Sequence, residues 1–439
     1  MLKAGFSRLD VTPPFDSEIA GYYHVRYANG VLDPICLNSV AVANEEKTVL
    51  LMALDFIGIN LDYSVRIREK ISERTGVPTD HIMLAAMHQH TSCALDHSFS
   101  RLTDENYIEV LIRKIADGAQ MAIDDMKEAK VGSAEEETAE PIAFVRRYFA
   151  DDGKVYTNPS TSKVNIVKRC AEADNTVRVV RFFREGAKDI AVVNFSTHPD
   201  VIGGNKFSAD WMGFVRRFVE EDNADVSCAF FTGTQGDSNH IDFFKSKEER
   251  LKGNGYEHSR YMGRTVADTV NKIWNGIVPT DSEGISAYHK VIYNKTNSEG
   301  LDEYDECLRL HDEYHAKLRA GERSDIDIAY AVRIINLRKA PILLPIPITV
   351  ISIGNISFVG FGGEPFTAYG ERVRALAPER FIVCAVCANG YEGYFPTEDA
   401  FALGAYEARS SLFTPSVERE ILSAVEEIIQ ALTTQGTKV

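Results

Sequence analysis

Apolar and polar positions follow two alternating periods along the chain, and each switch of period marks an element. Residues 37–43 and 48–55 are apolar runs around Asn44-Glu45-Glu46-Lys47 and predict a β-hairpin. Residues 62–75 have a helical pattern ended by Gly76 and Pro78. Residues 82–87 read as a short apolar strand. Residues 103–126 predict a long amphipathic helix, with Tyr107, Val110, Leu111, Ile115 and Ala122 on one face. A second hairpin is expected over 177–183 and 190–195, then a strand at 226–231, a helix at 256–274 and a very charged helix at 301–318. Strands at 348–353 and 356–361 meet at Gly354-Asn355, a plausible two-residue turn. A helix from Pro365, a strand over 381–386 and a terminal helix over 415–432 complete the series. This alternation predicts an α/β fold of mixed sheets flanked by helices. No internal repeat, low-complexity tract or Gly/Ser/Pro linker divides it. Residues 1–439 therefore read as one large domain, with a helical insertion near 299–324.

Composition narrows the partners. The 439 residues include 64 acidic and 48 basic side chains, a formal net charge of −16, with 44% apolar and 26% charged residues. That balance is globular, not disordered. The acidic surplus argues against nucleic acid, whose phosphates need a basic face, and against docking on anionic lipid. The longest mostly apolar stretch, 341–353, contains Pro341, Pro345 and Pro347 and is too short to span a bilayer. The opening residues lack the apolar run of a secretory leader. Seven cysteines leave at least one thiol unpaired, which favours a reducing compartment. The expectation is a soluble cytoplasmic protein with a small-molecule substrate, no nucleic-acid partner and no stable membrane insertion. Its oligomeric state is open.

The chemistry sits just after predicted strands. Strand 82–87 runs into His88-Gln89-His90, and strand 190–195 into Ser196-Thr197-His198-Pro199. Strand 226–231 leads to Gly236-Asp237-Ser238-Asn239, strand 356–361 to Gly362-Gly363-Glu364-Pro365, and strand 381–386 to Asn389-Gly390-Tyr391-Glu392-Gly393-Tyr394. In α/β sheets the loops that follow strands build the site, so these five point to one convergent centre. His-x-His at a strand end puts both imidazoles on one side of the pleat. Imidazoles joined by a carboxylate are a usual catalytic zinc set. Taken singly, each histidine is more often a hydrogen-bonded structural residue.

In order along the chain, these segments resemble the catalytic domain of the neutral/alkaline, non-lysosomal ceramidase family. Ala4-Gly5-Phe6-Ser7-Arg8-Leu9-Asp10-Val11-Thr12-Pro13-Pro14 and Ile19-Ala20-Gly21-Tyr22 are similar to the family's opening. Met87-His88-Gln89-His90-Thr91-Ser92 resembles its Thr-His-Thr-His-Ser segment, and Phe144-Val145-Arg146-Arg147-Tyr148 its Asn-Arg segment. His198-Pro199 with Ser208-Ala209-Asp210, Gly362-Gly363-Glu364-Pro365-Phe366, Asn389-x-Tyr391-x-x-Tyr394 and Tyr406-Glu407-Ala408-Arg409-Ser410-Ser411 continue the match. No single motif is specific; the ordered set is. The resemblance implies a zinc-hydrolase-like fold with zinc held by His88, His198, Glu364 and Tyr394. It also implies that His90, Arg146 and Tyr406 line the site and contact substrate or a developing oxyanion.

There are two departures. The family carries Gly-Asp-x-Ser-Pro-Asn, whose serine is the proposed nucleophile; here Asn239 falls on that column and Ser238 lies one position early. A one-residue shift on an extended segment turns a side chain to the opposite face. The expected attacker is therefore water activated at the zinc, with His90 or Asp237 taking its proton. Ser238, Asn239 and Tyr391 are then expected to contact substrate. The chain also stops soon after Tyr406, so the family's C-terminal β-domain is expected to be absent. The implied activity is hydrolysis of an N-acyl amide bond. The alternatives are an ester or sugar-linked substrate, or a ligand-binding protein without turnover. His311-Asp312-Glu313-Tyr314-His315 lacks the glutamate that zinc-protease spacing requires and reads as a solvated helix face. Cys384 and Cys387 read as buried structural thiols.

Overall fold

A computed structural model describes residues 1–96, 101–280, 283–322, 324 and 326–436. Residue 323 of the expected insertion lies outside them. In chain order the principal elements are β1 (Lys3–Asp10), β2 (Cys36–Ala43), β3 (Thr48–Leu54), α1 (Leu61–Thr75), β4 (Ile82–Ala86), α2 (Glu105–Asp124), β5 (Lys127–Glu137), β6 (Thr176–Arg184), β7 (Asp189–Phe195), α3 (Asp210–Asp222), β8 (Val226–Thr232) and α4 (Tyr256–Trp274). Then come β9 (Ile285–Lys295), α5 (Tyr304–Arg319), α6 (Ile328–Leu337), β10 (Leu343–Ile353), β11 (Ile356–Phe361), α7 (Thr367–Leu376), β12 (Phe381–Ala385) and α8 (Val417–Gly436).

The first twelve elements build an eight-stranded sheet in the order β8-β7-β6-β5-β1-β2-β3-β4. Its two halves share a topology that sequence alone does not display. Each runs strand, antiparallel hairpin, helix, parallel edge strand, helix: β1-β2-β3-α1-β4-α2, then β5-β6-β7-α3-β8-α4. The halves meet at β1 and β5, which pair antiparallel. Equivalent hydrogen bonds leave the two edge strands: Met87 N–H donates to the Leu54 carbonyl, and Gly233 N–H to that of Phe195, both at 2.9 Å. His88 and His90 lie on the loop after β4, and His198 on the loop after β7.

A second sheet, β9-β10-β11-β12, packs face to face on the first. Its side chains alternate as a two-sided strand must. Ile351, Ile353, Ile356 and Phe358 join the core shared with the first sheet, whereas Ile346, Ile348, Val350, Val359 and Phe361 pack under α7 and α8. Gly354-Asn355 does turn β10 into β11, with Gly354 at φ 61. Helix α1 starts on an Asn60 side chain that accepts the Tyr63 N–H, and ends at Gly76, whose φ of 76 suits glycine. Helices α5 and α6 are inserted between β9 and β10. His311 and His315 lie on α5, partly exposed, and Asp312 is 87% exposed. All seven cysteines are free thiols. Among the described residues no helix is long and apolar enough to cross a membrane.

The structure adds elements that the sequence pattern did not predict. Strand β5 is polar almost throughout, and only Val131 and Gly132 of its residues are fully covered. Its backbone joins β1 to β6 while its outer face carries ion pairs such as Glu135 with Arg178. Apolar alternation, the usual strand signal, is therefore missing. Helix α3 has a regular stripe of Trp211, Phe214, Val215, Phe218 and Val219, and its first residue, Asp210, also belongs to the His198 loop.

Candidate metal centre

Each functional side chain is set by the loop it closes. Directly after β4, His88 adopts a left-handed φ of 73, rare for a residue with a Cβ. Its N–H donates to the Phe56 carbonyl and its Nδ1 lies 2.8 Å from the Ile57 carbonyl. In the neutral ring Nδ1 then carries the proton, and Nε2 presents a lone pair to the interior. His198 follows β7 and uses the reciprocal arrangement: its Nδ1 faces the Gln235 carbonyl, on the loop after β8, at 3.5 Å. Asp210 Oδ2 accepts the Val201 and Ile202 N–H groups and holds the His198 loop in place. The His90 N–H donates to the Pro199 carbonyl and ties the two histidine loops together.

From the opposite side, Glu364 and Tyr394 sit side by side in a short parallel bridge, 364–365 with 394–395. Glu364 Oε2 lies 3.0 Å from His88 Nε2 and 3.7 Å from His198 Nε2. One ligand atom from each of His88, His90 and His198 fits within a 4.8 Å cluster. Neither His90 nitrogen makes a well-formed hydrogen bond, and Glu364 Oε2 has no hydrogen-bond donor. All four residues are buried. Burial, then the Arg146 charge, holds His198 well below the ordinary imidazole range; burial, then the neighbouring His88, does the same to His90. Burial tends to raise Glu364, but a protonated His88 facing it outweighs that and leaves the carboxyl below its usual range; beside a neutral His88 only a bound cation does the same. Three imidazoles around a carboxylate, with orphaned polar atoms pointing inward, are a donor set that fits a divalent cation.

Beside this cluster, Arg146 Nη2 donates to the Tyr394 hydroxyl oxygen at 3.1 Å and to the Gly236 carbonyl at 2.9 Å. Its guanidinium lies 5.5 Å from the Tyr394 ring and 5.9 Å from that of Tyr406. Burial, then the Glu364 charge, pushes the Tyr394 phenol well up, so it stays protonated without a cation. Tyr406 packs edge-on to Tyr394 and its hydroxyl is 3.3 Å from that of Tyr23. The Tyr391 hydroxyl donates to Glu364 Oε1 at 3.1 Å, supporting the carboxylate from behind.

Not every expected contact faces the centre. Asp237 Oδ1 accepts both the N–H and the hydroxyl of Thr367, at 2.8 and 2.9 Å, and so fixes the start of α7 behind Glu364. Asn239 spends its amide locally, Nδ2 to Asn158 and Oδ1 from the Ile241 N–H. Ser238 is buried with its hydroxyl 3.5 Å from the same Gln235 carbonyl that faces His198. Three neighbours were missed by the sequence reading. Gly21, at φ 106, lies where a Cβ would come within 2.5 Å of His90 Nδ1. Tyr23 meets Tyr406, and Glu407 holds Arg146 by Nε at 2.8 Å. A glycine between apolar residues and a carboxylate next to a tyrosine carry no distinctive signal by themselves.

No family model and no curated protein matches the chain. Solved structures do. The neutral ceramidase from Pseudomonas aeruginosa aligns with a TM-score of 0.74 at 15% identity, over 99% of this chain and 75% of that one. A ceramidase complexed with C2 aligns with a TM-score of 0.72 at 14% identity, over the same shares of 99% and 75%. Over nearly its whole length, then, the chain has the fold of the neutral ceramidases, and it presents a buried histidine cluster able to hold a metal ion.

Proposed function

We propose that the protein is a zinc-dependent hydrolase of an N-acyl amide bond, with the metal held by His88, His198, Glu364 and Tyr394. The supporting observation is the 3.0 Å approach of His88 Nε2 to Glu364 Oε2 in a buried site with His198 beside them, a gap that a proton or a cation must bridge. When bound, zinc supplies Lewis acidity to the acyl carbonyl and lowers the pKa of a water molecule to about 7. The protein's own groups supply the rest. His90, kept neutral by burial and with no well-formed hydrogen bond on either nitrogen, accepts the proton of the attacking water. The Arg146 charge beside Tyr394 and the Tyr406 hydroxyl stabilise the developing oxyanion; Tyr391 keeps Glu364 oriented. Water adds to the acyl carbon, the C–N bond breaks, and the proton on His90 leaves with the amine. Ser238 and Asn239 shape the wall rather than attack.

The test is metal analysis of purified protein together with hydrolysis of paired N-acyl and O-acyl substrates. Stoichiometric zinc and faster cleavage of the amide support the reading. Cleavage of esters alone would move it to an esterase, and saturable binding without turnover to a binding protein.

A further inference from the structure

Glu407 is completely buried, and each of its oxygens is committed. Oε1 accepts Arg146 Nε at 2.8 Å; Oε2 accepts Arg147 Nη1 at 2.9 Å and the Thr157 hydroxyl at 2.7 Å. Arg147 is anchored in turn through Nη2 on the Gly404 carbonyl at 2.9 Å. The arrangement is directional. Arg147 and Thr157 hold one end of the carboxylate, and the other end sets the plane of the Arg146 guanidinium. That plane places Nη2 between the Gly236 carbonyl and the Tyr394 hydroxyl. A second observation is backbone strain: Ala405 sits at φ 71 and ψ −177, a region that residues with a Cβ avoid. The strained residue immediately precedes Tyr406 and Glu407, and its conformation turns both toward the centre.

We propose that Glu407 is the positioning residue of the site: it touches neither metal nor substrate and acts by fixing Arg146 against Tyr394. This rests on the reading of Arg146 as the charge that stabilises the oxyanion beside a metal-bound tyrosine. A salt link that served only to fill the interior would not need one oxygen for each of two consecutive arginines.

The experiment is a double-mutant cycle on the zinc-loaded enzyme, with crystal structures of the variants. E407Q should lower kcat on the order of 10²-fold, the cost of losing one preorganised donor, with KM changed much less. The same change made on an R146A background should cost less than about twofold more, because coupled residues are not additive. In the E407Q structure Arg146 Nη2 should have left the Tyr394 hydroxyl. If E407Q does not fold, E407D keeps the charge and shortens the reach; it should show the same displacement and a smaller kcat loss. An undiminished cost on the R146A background, or wild-type kcat in either Glu407 variant, overturns the proposal. If the wild type cleaves no N-acyl or O-acyl substrate, the hydrolase reading fails, and the crystal structure alone decides positioning: an unmoved Arg146 overturns it.

Discussion

His88 Nε2 faces Glu364 Oε2 across 3.0 Å while the other nitrogen of the same ring is engaged by the Ile57 carbonyl. With a neutral imidazole, both atoms across that gap are acceptors, and a buried pair of acceptors is destabilising unless a cation or an added proton lies between them. The fold holds this arrangement with a left-handed His88 on one side and the Glu364–Tyr394 bridge on the other.

The first prediction follows from that gap. Zinc should stabilise the wild type by about 4 kcal/mol at a free concentration of ~1,000 Kd. H88A and E364Q should lose both the bound metal and that increment. E364Q should also be at least as stable as metal-free wild type, because its amide can donate to His88 Nε2. Metal content and chelator-dependent Tm measure this; a full zinc complement in either variant removes His88 or Glu364 from the ligand set.

His90 separates two ligand sets. With His88, His198, Glu364 and Tyr394 as ligands, H90A should keep stoichiometric zinc while kcat falls ~10²–10⁴-fold, the usual range for a lost general base. With the three histidines as ligands, H90A should release the metal. Zinc titration of H90A distinguishes the two directly.

Asp237 gives a prediction about architecture. Its Oδ1 takes two hydrogen bonds from Thr367, one of them from the backbone at the start of α7. D237A should cost about 2–3 kcal/mol, since it leaves buried donors unpaired, whereas D237N keeps an acceptor oxygen in place. Folding stability should therefore drop more in D237A than in D237N, and D237N should retain most of its turnover. Loss of turnover in a fully stable D237N would return Asp237 to the reacting groups. By the same reasoning S238A should hydrolyse at close to the wild-type rate.

Several layers of this molecule were readable from sequence, for different physical reasons. Apolar runs bounded by turn residues placed the β2–β3 and β6–β7 hairpins and helix α4, because burial on one face leaves a period. The strand-end loops carrying His88, His198, Glu364 and Tyr394 were legible as chemistry out of place among apolar strands. What stayed hidden depends on three-dimensional proximity. The duplicated topology has no sequence echo, since each half repeats a backbone path with different side chains. The polar strand β5 lacks alternation. Asp237 reads as a group that could take the proton of water, and its two hydrogen bonds from Thr367 have no trace in the sequence; Glu407 acquires meaning only once Arg146 and Arg147 are found on its two oxygens.

The last prediction concerns acid stability. Burial pushes the imidazole of His289, on β9, down to about 4, and that of His240 also down to about 4. His289 Nδ1 is paired with the Thr349 hydroxyl at 2.8 Å, and His240 Nε2 with the Asn254 side chain at 3.3 Å. Unfolded, both rings titrate near 6.5, so the unfolded chain takes up protons first as pH falls. Their contribution is fully present above about pH 6.5 and is lost progressively between there and pH ~4. At about 1.4 kcal/mol per unit over that window, the loss is about 3 kcal/mol for each ring. H289Q cannot titrate, so it should be somewhat less stable than wild type near neutrality yet lose less stability on acidification. Urea unfolding at about pH 7.5 and about pH 4.5 measures the two slopes. Equal losses in wild type and H289Q would mean that His289 enters the folded state already able to carry its proton.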